Sequence, residues 1–327
     1  MKLLLNISNL NVSFQNDAGI VNPVRGVDLQ VNQGETVALV GESGCGKSVT
    51  ALSVLQLLPT PPARFESGSI QFSGKDLLKS SEPEMQSLRG NDIGMVFQEP
   101  MTSLNPILTI GDQIAETILL HNDISQKETR DRVLGILDKV AIPSPEQRID
   151  QYPHELSGGM KQRVMIAMAI SCNPKLLIAD EPTTALDVTI QSQILELLES
   201  LQEETGMAIL LITHNLGIVA EYASRVAVMY AGKIVEKSST KRLFEEPAHP
   251  YTRGLLNSLP NLSSRSRLNP IPGVVPDPGN LPAGCAFQPR CADALPCCSE
   301  QTPSFLKLNE ENHRAACFLH ESVESVN

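Results

Sequence analysis

Tryptophan is absent from the 327 residues, and aromatic side chains make up only 4% of them. That argues against a ring-lined surface of the kind used to hold sugars or antibody epitopes. Basic residues are the minority: 26 Lys and Arg against 37 Asp and Glu leave a formal net charge of −11. Binding nucleic acid nonspecifically needs clustered cations against phosphate backbones, so a nucleic-acid partner is not expected. A compact site for one nucleotide escapes this argument, because a few donors suffice there. Long apolar runs are missing too, and none approaches the roughly 18 residues that would span a bilayer. The opening MKLLLNIS has one Lys and three Leu before Asn6, too short for the hydrophobic region of a signal peptide. The chain is therefore expected in the cytosol, where structural disulfides are disfavoured.

What is present is an alternation of strand and helix patterns. LNVSF and VDLQV alternate polar and apolar residues around a turn-rich segment, 15–24. ETVALVGESGCGKS runs from a buried apolar strand (36–40) into a glycine loop, and SVTALSVLQLL beyond it has helical periodicity. SGSIQFSGKDL reads as a strand pair with a Gly turn. Residues 109–170 are mostly helical in pattern. KLLIAD and AILLIT are apolar runs suited to buried parallel strands, flanking a helix of about fifteen residues, IQSQILELLESLQEE. RVAVMYAGKIVEK reads as a hairpin. After Lys237 the composition shifts, and PNLSSRSRLNPIPGVVPDPGNLP (260–282) reads as irregular chain on a surface or a linker. The expected class is α/β with a parallel sheet, interrupted by a helical insert.

GESGCGKS (41–48) satisfies the G-x-x-x-x-G-K-[ST] pattern between a strand and a helix, the context that distinguishes a phosphate loop from a chance glycine turn. Glycines permit positive φ, so successive backbone N–H groups can face a phosphate. The following helix adds its positive dipole end. Gly41, Ser43, Gly44, Cys45, Gly46, Lys47, Ser48 and Val49 are the candidate nucleotide contacts. Lys47 is expected at the β- and γ-phosphates and the Ser48 hydroxyl on Mg²⁺. Cys45 occupies a variable position where small residues fit; tolerance accounts for it better than a redox switch. KLLIADEP ends an apolar strand in Asp180, at the strand end where open α/β sheets bind ligands. Asp180 is expected to hold Mg²⁺ through water, and Glu181 to orient or deprotonate the attacking water. In LSGGMKQR (156–163), Ser157, Gly158 and Gly159 open a helix and offer a second anion site. Alone, that feature is an ordinary capped helix start.

In this order and spacing the three motifs resemble the ATP-binding cassette (ABC) transporter ATPases, over roughly residues 3–237. The resemblance implies a P-loop NTPase core, the ABC nucleotide-binding domain, with a helical subdomain at about 99–170. A small irregular Cys-containing C-terminal extension, 238–327, follows. It also implies that two cassettes dimerise head to tail, so Ser157, Gly158 and Gly159 complete the site of a second ABC ATPase subunit. By the same resemblance Gln98 senses the γ-phosphate and Mg²⁺, Asp187 sits at the dimer seam, and His214 touches the γ-phosphate and fixes the water held by Glu181. Phe14 falls where an aromatic stacks on adenine, though a plain core role is open to it. LSGGM replaces the commoner LSGGQ, and Asn215 stands where Asp is frequent; neither change removes a phosphate-contacting group.

Residues 97–114, FQEPMTSLNPILTIGDQI, are expected to meet the membrane subunits. With HPYTRGLLNSLP (249–260) and IPGVVPDPGNLPAGCAFQPRC (271–291), they resemble the ATPases of dipeptide and oligopeptide importers. Nickel and antimicrobial-peptide-resistance relatives share much of this pattern, and a soluble non-transport ABC ATPase is the rival from another class. The implied partners are a distinct paralogous cassette, two integral membrane permease subunits and an external solute-binding protein, with the chain peripheral on the cytoplasmic face of the inner membrane. Cys285, Cys291, Cys298 and Cys317 give C-x5-C-x6-C-x18-C, with Cys297 able to replace its neighbour. Four soft thiolates suit Zn²⁺ or an iron–sulfur cluster. The spacing matches neither zinc ribbons nor ferredoxins; the resemblance favours a [4Fe–4S] cluster, with zinc and unliganded thiols as the other readings. A metal there is expected to act as a structural staple for a Pro-rich tail with little core of its own.

Overall fold

The computed structural model describes residues 2–17, 19–98, 103–184, 186–259, 270–308 and 312–321. Its contacts divide the chain into two units. One comprises Met1–Leu4, Val31–Glu35 and Lys79–Ile212; the other comprises Leu5–Gln30, Thr36–Leu78 and Thr213–Asn327. The C-terminal extension thus shares a unit with the phosphate loop.

In the phosphate-loop unit, an antiparallel sheet has the spatial order Gly19–Asn32, Leu3–Asn16, Ala63–Phe72, Lys75–Asp76. Its strands alternate buried and open positions, with Leu5, Leu10, Val12, Val27 and Ile70 pointing into the core. The expected turn-rich stretch 15–24 is shorter in the fold, because the second strand already begins at Gly19. Turn signals there (Asn22, Pro23) yield to tertiary pairing: the Arg25 N–H donates to the Gly232 carbonyl at 2.8 Å. Pro23, lacking a donor, is tolerated in an extended segment. The helix after the loop is also shorter than its periodicity suggests. It spans Lys47–Val54 and stops before the Pro59, Pro61 and Pro62 run.

A second run of strands in this unit is ordered Phe305–Lys307, Arg314–Ala316, Lys233–Ser239, Arg225–Tyr230, Thr36–Val40. The last pair is parallel, with Val37 opposite Arg225 and Val40 opposite Val228. The hairpin expected in RVAVMYAGKIVEK is present, and the tail adds two short antiparallel strands to its edge. The tail therefore has more regular structure than its Pro-rich composition suggests. Phe287 is buried among Tyr230, Tyr251 and His249, with ring centroids 5.2, 5.4 and 5.8 Å away. Residues 260–269 of the Pro-rich stretch lie outside the described residues.

The helical unit holds three parallel neighbours, Ile93–Val96, Leu176–Asp180 and Ala208–Thr213. All five residues of the middle strand are buried, which is why it reads as a continuous apolar run. Helices Ile110–His121, Gln126–Lys139 and Gly158–Ile170 bury Ile110, Ile114, Ile118, Val133, Leu137, Val164 and Ile166. Thr109, Ser125 and Ser157 cap these helices through their hydroxyls. The helix expected at 190–204 runs Val188–Thr205, capped by Asp187 and ended by Gly206 in the left-handed region.

Candidate nucleotide site

The phosphate loop leaves the buried Thr36–Val40 strand and enters the Lys47–Val54 helix. Gly44 and Gly46 have φ of 78° and 106°, which turns the intervening amides in a way a side chain would oppose. A Cβ on Gly46 would stand 2.2 Å from the Pro23 carbonyl oxygen, and one on Gly41 would stand 2.2 Å from that of Met229. Both positions therefore need glycine because backbone crowds them. At Gly44 a Cβ would meet nothing within 4 Å, so the loop opens outward there. No side chain caps the helix start at Gly46, and no acid lies in its first turn. An oxyanion is the natural partner for such a terminus.

Lys47 is 5% exposed, and its ammonium donates to the Gly41 and Glu42 carbonyls at 2.8 and 3.1 Å. These bonds hold the ammonium back over the loop. Cys45 is buried, and burial pushes its thiol pKa up despite the pull of Lys47. A thiol kept neutral there makes a poor redox centre. Ser43 and Gly44 are exposed, and Ser48 and Val49 half-buried. Phe14 is half-buried on the Leu3–Asn16 strand opposite Ala63. His214 is exposed, one residue past the Ala208–Thr213 strand, where Asn215 caps the next helix by accepting from the Gly217 N–H at 2.9 Å.

In the helical unit Asp180 is the last residue of its strand, 4% exposed and opposite Ile212. Glu181 has φ of 47°, in the left-handed region that non-glycine residues avoid, and its N–H donates to the Ile212 carbonyl at 2.9 Å. Such strain, of order 1–3 kcal/mol, collects at functional positions. Two donors converge on its Oε2: the Thr184 hydroxyl at 2.9 Å and the Gln98 amide at 3.3 Å. The fold thus brings Gln98 and Glu181 together from positions 83 apart in sequence. Ser157 caps its helix by accepting from the Met160 N–H at 3.4 Å, and Asp187 caps its own by accepting from the Ile190 N–H at 3.0 Å. Both are exposed, available to another molecule. Of the segment expected to contact membrane subunits, Phe97 and Ile107 are exposed (39% and 78%), while 99–102 lie outside the described residues.

Residues 24–184 match the family model described as ABC transporter, and residues 235–298 match the model described as oligopeptide/dipeptide transporter, C-terminal region. The chain is 53% identical over 332 residues to a putative peptide import ATP-binding protein of Brucella ovis, covering 98% of each. The chain belongs to the ABC transporter ATPases. It is also 50% identical to the oligopeptide transport ATP-binding protein OppD of Bacillus subtilis, over 99% of this chain and 91% of that one. A solved structure titled as the dimeric post-hydrolysis state of the ATP-binding cassette MJ0796 bound to ADP and Pi superposes with a TM-score of 0.65. That match has 26% identity and covers 72% of this chain and 99% of that chain. CbiO1 from Clostridium perfringens gives 0.64 at 30% identity, over 75% and 92%.

Sequence reasoning missed how much of this ABC ATPase's tail touches the phosphate loop. Arg290 makes a two-pronged ion pair with Glu42, and the Tyr251 hydroxyl accepts from the Glu42 N–H. No local signal relates partners more than 200 positions apart. The tail thiols do gather. Cys285, Cys291, Cys298 and Cys317 all line one cavity of about 10 Å³, and Cys298 rather than Cys297 faces it. Burial raises the pKa of Cys317 to about 11, with the neighbouring thiols adding to the shift, and raises those of Cys285 and Cys291. All seven cysteines are free, and among the described residues no three His, Cys, Asp or Glu stand in a metal-holding arrangement. Among the described residues no helix is long and apolar enough to cross a membrane.

Proposed function

We propose that this ABC ATPase powers import of di- and oligopeptides through separate membrane subunits. One observation carries the reading: an ABC cassette and an oligopeptide/dipeptide-type C-terminal region occur in a single chain whose near-full-length relatives are named as peptide import or oligopeptide transport ATP-binding proteins. Lys47 and the loop amides bind the phosphates, and Phe14 packs on the adenine. Ser48, Gln98 and Asp180 are hard oxygen donors suited to Mg²⁺, which when bound neutralises phosphate charge. Glu181 takes the proton of the attacking water, and His214 holds the γ-phosphate end. Ser157, Gly158, Gly159 and Asp187 serve the nucleotide of a second, paralogous cassette. In this reading 1–237 is the engine, with 99–170 its helical subdomain, and 238–327 is the extension. The assembly needs two permease subunits and an external binding protein, with this chain peripheral on the cytoplasmic face of the inner membrane.

Four thiols line one cavity, and although they do not stand in a metal-holding arrangement as folded, they would supply the donors for a [4Fe–4S] cluster or Zn²⁺ once drawn together. The cavity is no larger than one water requires, so a guest needs the side chains to open. Either guest would act as a staple for the tail.

The test of transport is uptake of a labelled dipeptide by cells lacking this chain. Uptake is expected to return with the native chain and not with Lys47→Ala; unchanged uptake in the deletion, or loss of nickel uptake instead, refutes the peptide reading. For the tail, anaerobic purification is expected to yield about four irons per chain, with visible colour lost in Cys291→Ser. One zinc without colour replaces the cluster but keeps the staple, and no metal removes both.

A further inference from the structure

Glu42 is an awkward residue for its place. It is the second residue of a loop whose amides and lysine accept phosphate, yet it brings a carboxylate. The fold handles that charge from the far end of the chain. The two terminal guanidinium nitrogens of Arg290 reach the two Glu42 oxygens, at 2.6 and 2.9 Å. The Arg290 side chain is 4% exposed and that of Glu42 30%. Bidentate pairs of this kind fix direction as well as charge.

Arg290 has little freedom to do anything else. Its Nε donates to the Pro272 carbonyl at 2.9 Å, and its Nη1 reaches the Tyr230 hydroxyl at 3.4 Å. Its guanidinium lies 5.8 Å from the Tyr230 ring centre and 6.0 Å from that of Phe287. The turn carrying it is tied at both ends, since Gln288 N–H donates to the Cys285 carbonyl and Cys291 N–H to that of Gln288. A second contact acts on the loop backbone. Tyr251, wholly buried, accepts the Glu42 N–H on its hydroxyl at 2.9 Å. With Lys47 on the Glu42 carbonyl at 3.1 Å, the residue is held by its N–H, its C=O and its side chain.

We infer that Arg290 and Tyr251 are positioning residues for nucleotide binding: the C-terminal extension braces the phosphate loop and turns the Glu42 carboxylate away from the incoming phosphates. The inference rests on the phosphate-loop reading above. It also gives the extension a part in ATP binding, separate from any metal it holds. Removing Arg290 leaves a bare carboxylate beside the phosphate cradle, so the loss is electrostatic and curable by removing the carboxylate.

The experiment titrates Mg-ATP into the full-length chain and follows thermal unfolding in parallel, using native protein, Arg290→Ala, Glu42→Gln/Arg290→Ala, Tyr251→Phe and Lys47→Ala. Arg290→Ala is expected to weaken ATP binding about tenfold, a Kd change worth about 1.4 kcal/mol. The double variant is expected to recover most of that loss even if its melting temperature stays low. Tyr251→Phe is expected to weaken binding without changing its salt dependence. Native affinity in Arg290→Ala, or a double variant as weak as the single one, overturns the brace. Should Arg290→Ala fail to fold, Arg290→Lys keeps the charge with poorer geometry; it must bind ATP more weakly than the native chain, and equal binding counts against the proposal. Lys47→Ala separates the two readings: if it binds ATP normally, the phosphate-loop assignment itself has failed, whatever Arg290 does.

Discussion

Mild acid is expected to loosen the C-terminal extension through His249. This histidine is 2% exposed, lies against Phe287, and accepts the Tyr251 N–H on Nδ1 at 3.0 Å, capping the Pro250–Asn257 helix. Burial lowers its pKa from 6.5 to about 4; Glu236 pulls the other way, while Arg253 and His320 add to the lowering. The unfolded chain takes up a proton at this side chain near pH 6.5, and the folded chain only near 4. Its contribution is therefore complete above about 6.5 and is lost as pH falls towards 4. At 1.36 kcal/mol per pH unit, the gap amounts to at most about 3 kcal/mol. Glu236 continues the trend at lower pH. Burial raises its pKa, but His313, the Ala248 N–H, Thr252 and the His249 N–H together outweigh that and hold it below the ordinary carboxylate value. Its share is present above the ordinary carboxylate pKa and fades as pH drops through the depressed one.

The assay is urea unfolding between about pH 7 and pH 4.5, comparing the native chain with His249→Asn. Asparagine can still accept the Tyr251 N–H and does not titrate. With no tryptophan and only four tyrosines in the sequence, tyrosine fluorescence reports strongly on the Tyr230–Tyr251 pair, whose rings lie 4.6 Å apart. Between about pH 6 and 4.5 the native chain is expected to lose stability faster than the variant, by close to 1.36 kcal/mol per pH unit. Parallel curves would refute the reasoning, because they would mean His249 binds its proton equally in both states.

Two further outcomes test the nucleotide site. Glu181→Gln is expected to keep ATP binding while turnover falls on the order of 10²–10⁴-fold, the usual worth of a general base; phosphate release at the native rate removes Glu181 from that role. Gly46→Ala places a Cβ 2.2 Å from the Pro23 carbonyl oxygen at a φ of 106°. It is expected to cost at least about 2 kcal/mol of stability and to abolish ATP binding. Native melting and affinity in that variant would mean the loop is not held as described.

The elements that position the nucleotide motifs were legible because their signals are local. Thr36–Val40, Leu176–Asp180 and Ala208–Thr213 are short and wholly buried, so each announces itself as an apolar run. Where local signals misled, pairing with distant chain had overridden them. Asn22 and Pro23 look like a turn, yet the strand continues through them because Arg25 is tied to Gly232. The tail looked irregular for the same reason. Phe305–Lys307 and Arg314–Ala316 are three-residue strands that exist only by pairing onto Lys233–Ser239.

By itself the sequence determined the chemistry on offer: a glycine loop with its lysine, acids at a strand end, a capped Ser-Gly-Gly helix start and a set of thiols. Residue type and short spacing suffice for these, because each motif works through backbone a few residues long. Tertiary structure alone decided what surrounds them. It set Thr184 and Gln98 on the Glu181 carboxylate, gathered four thiols around one cavity, and brought Arg290 across 248 positions to Glu42. Contacts at such separations follow from how strands and loops pack, and no period or motif in the chain encodes them one pair at a time.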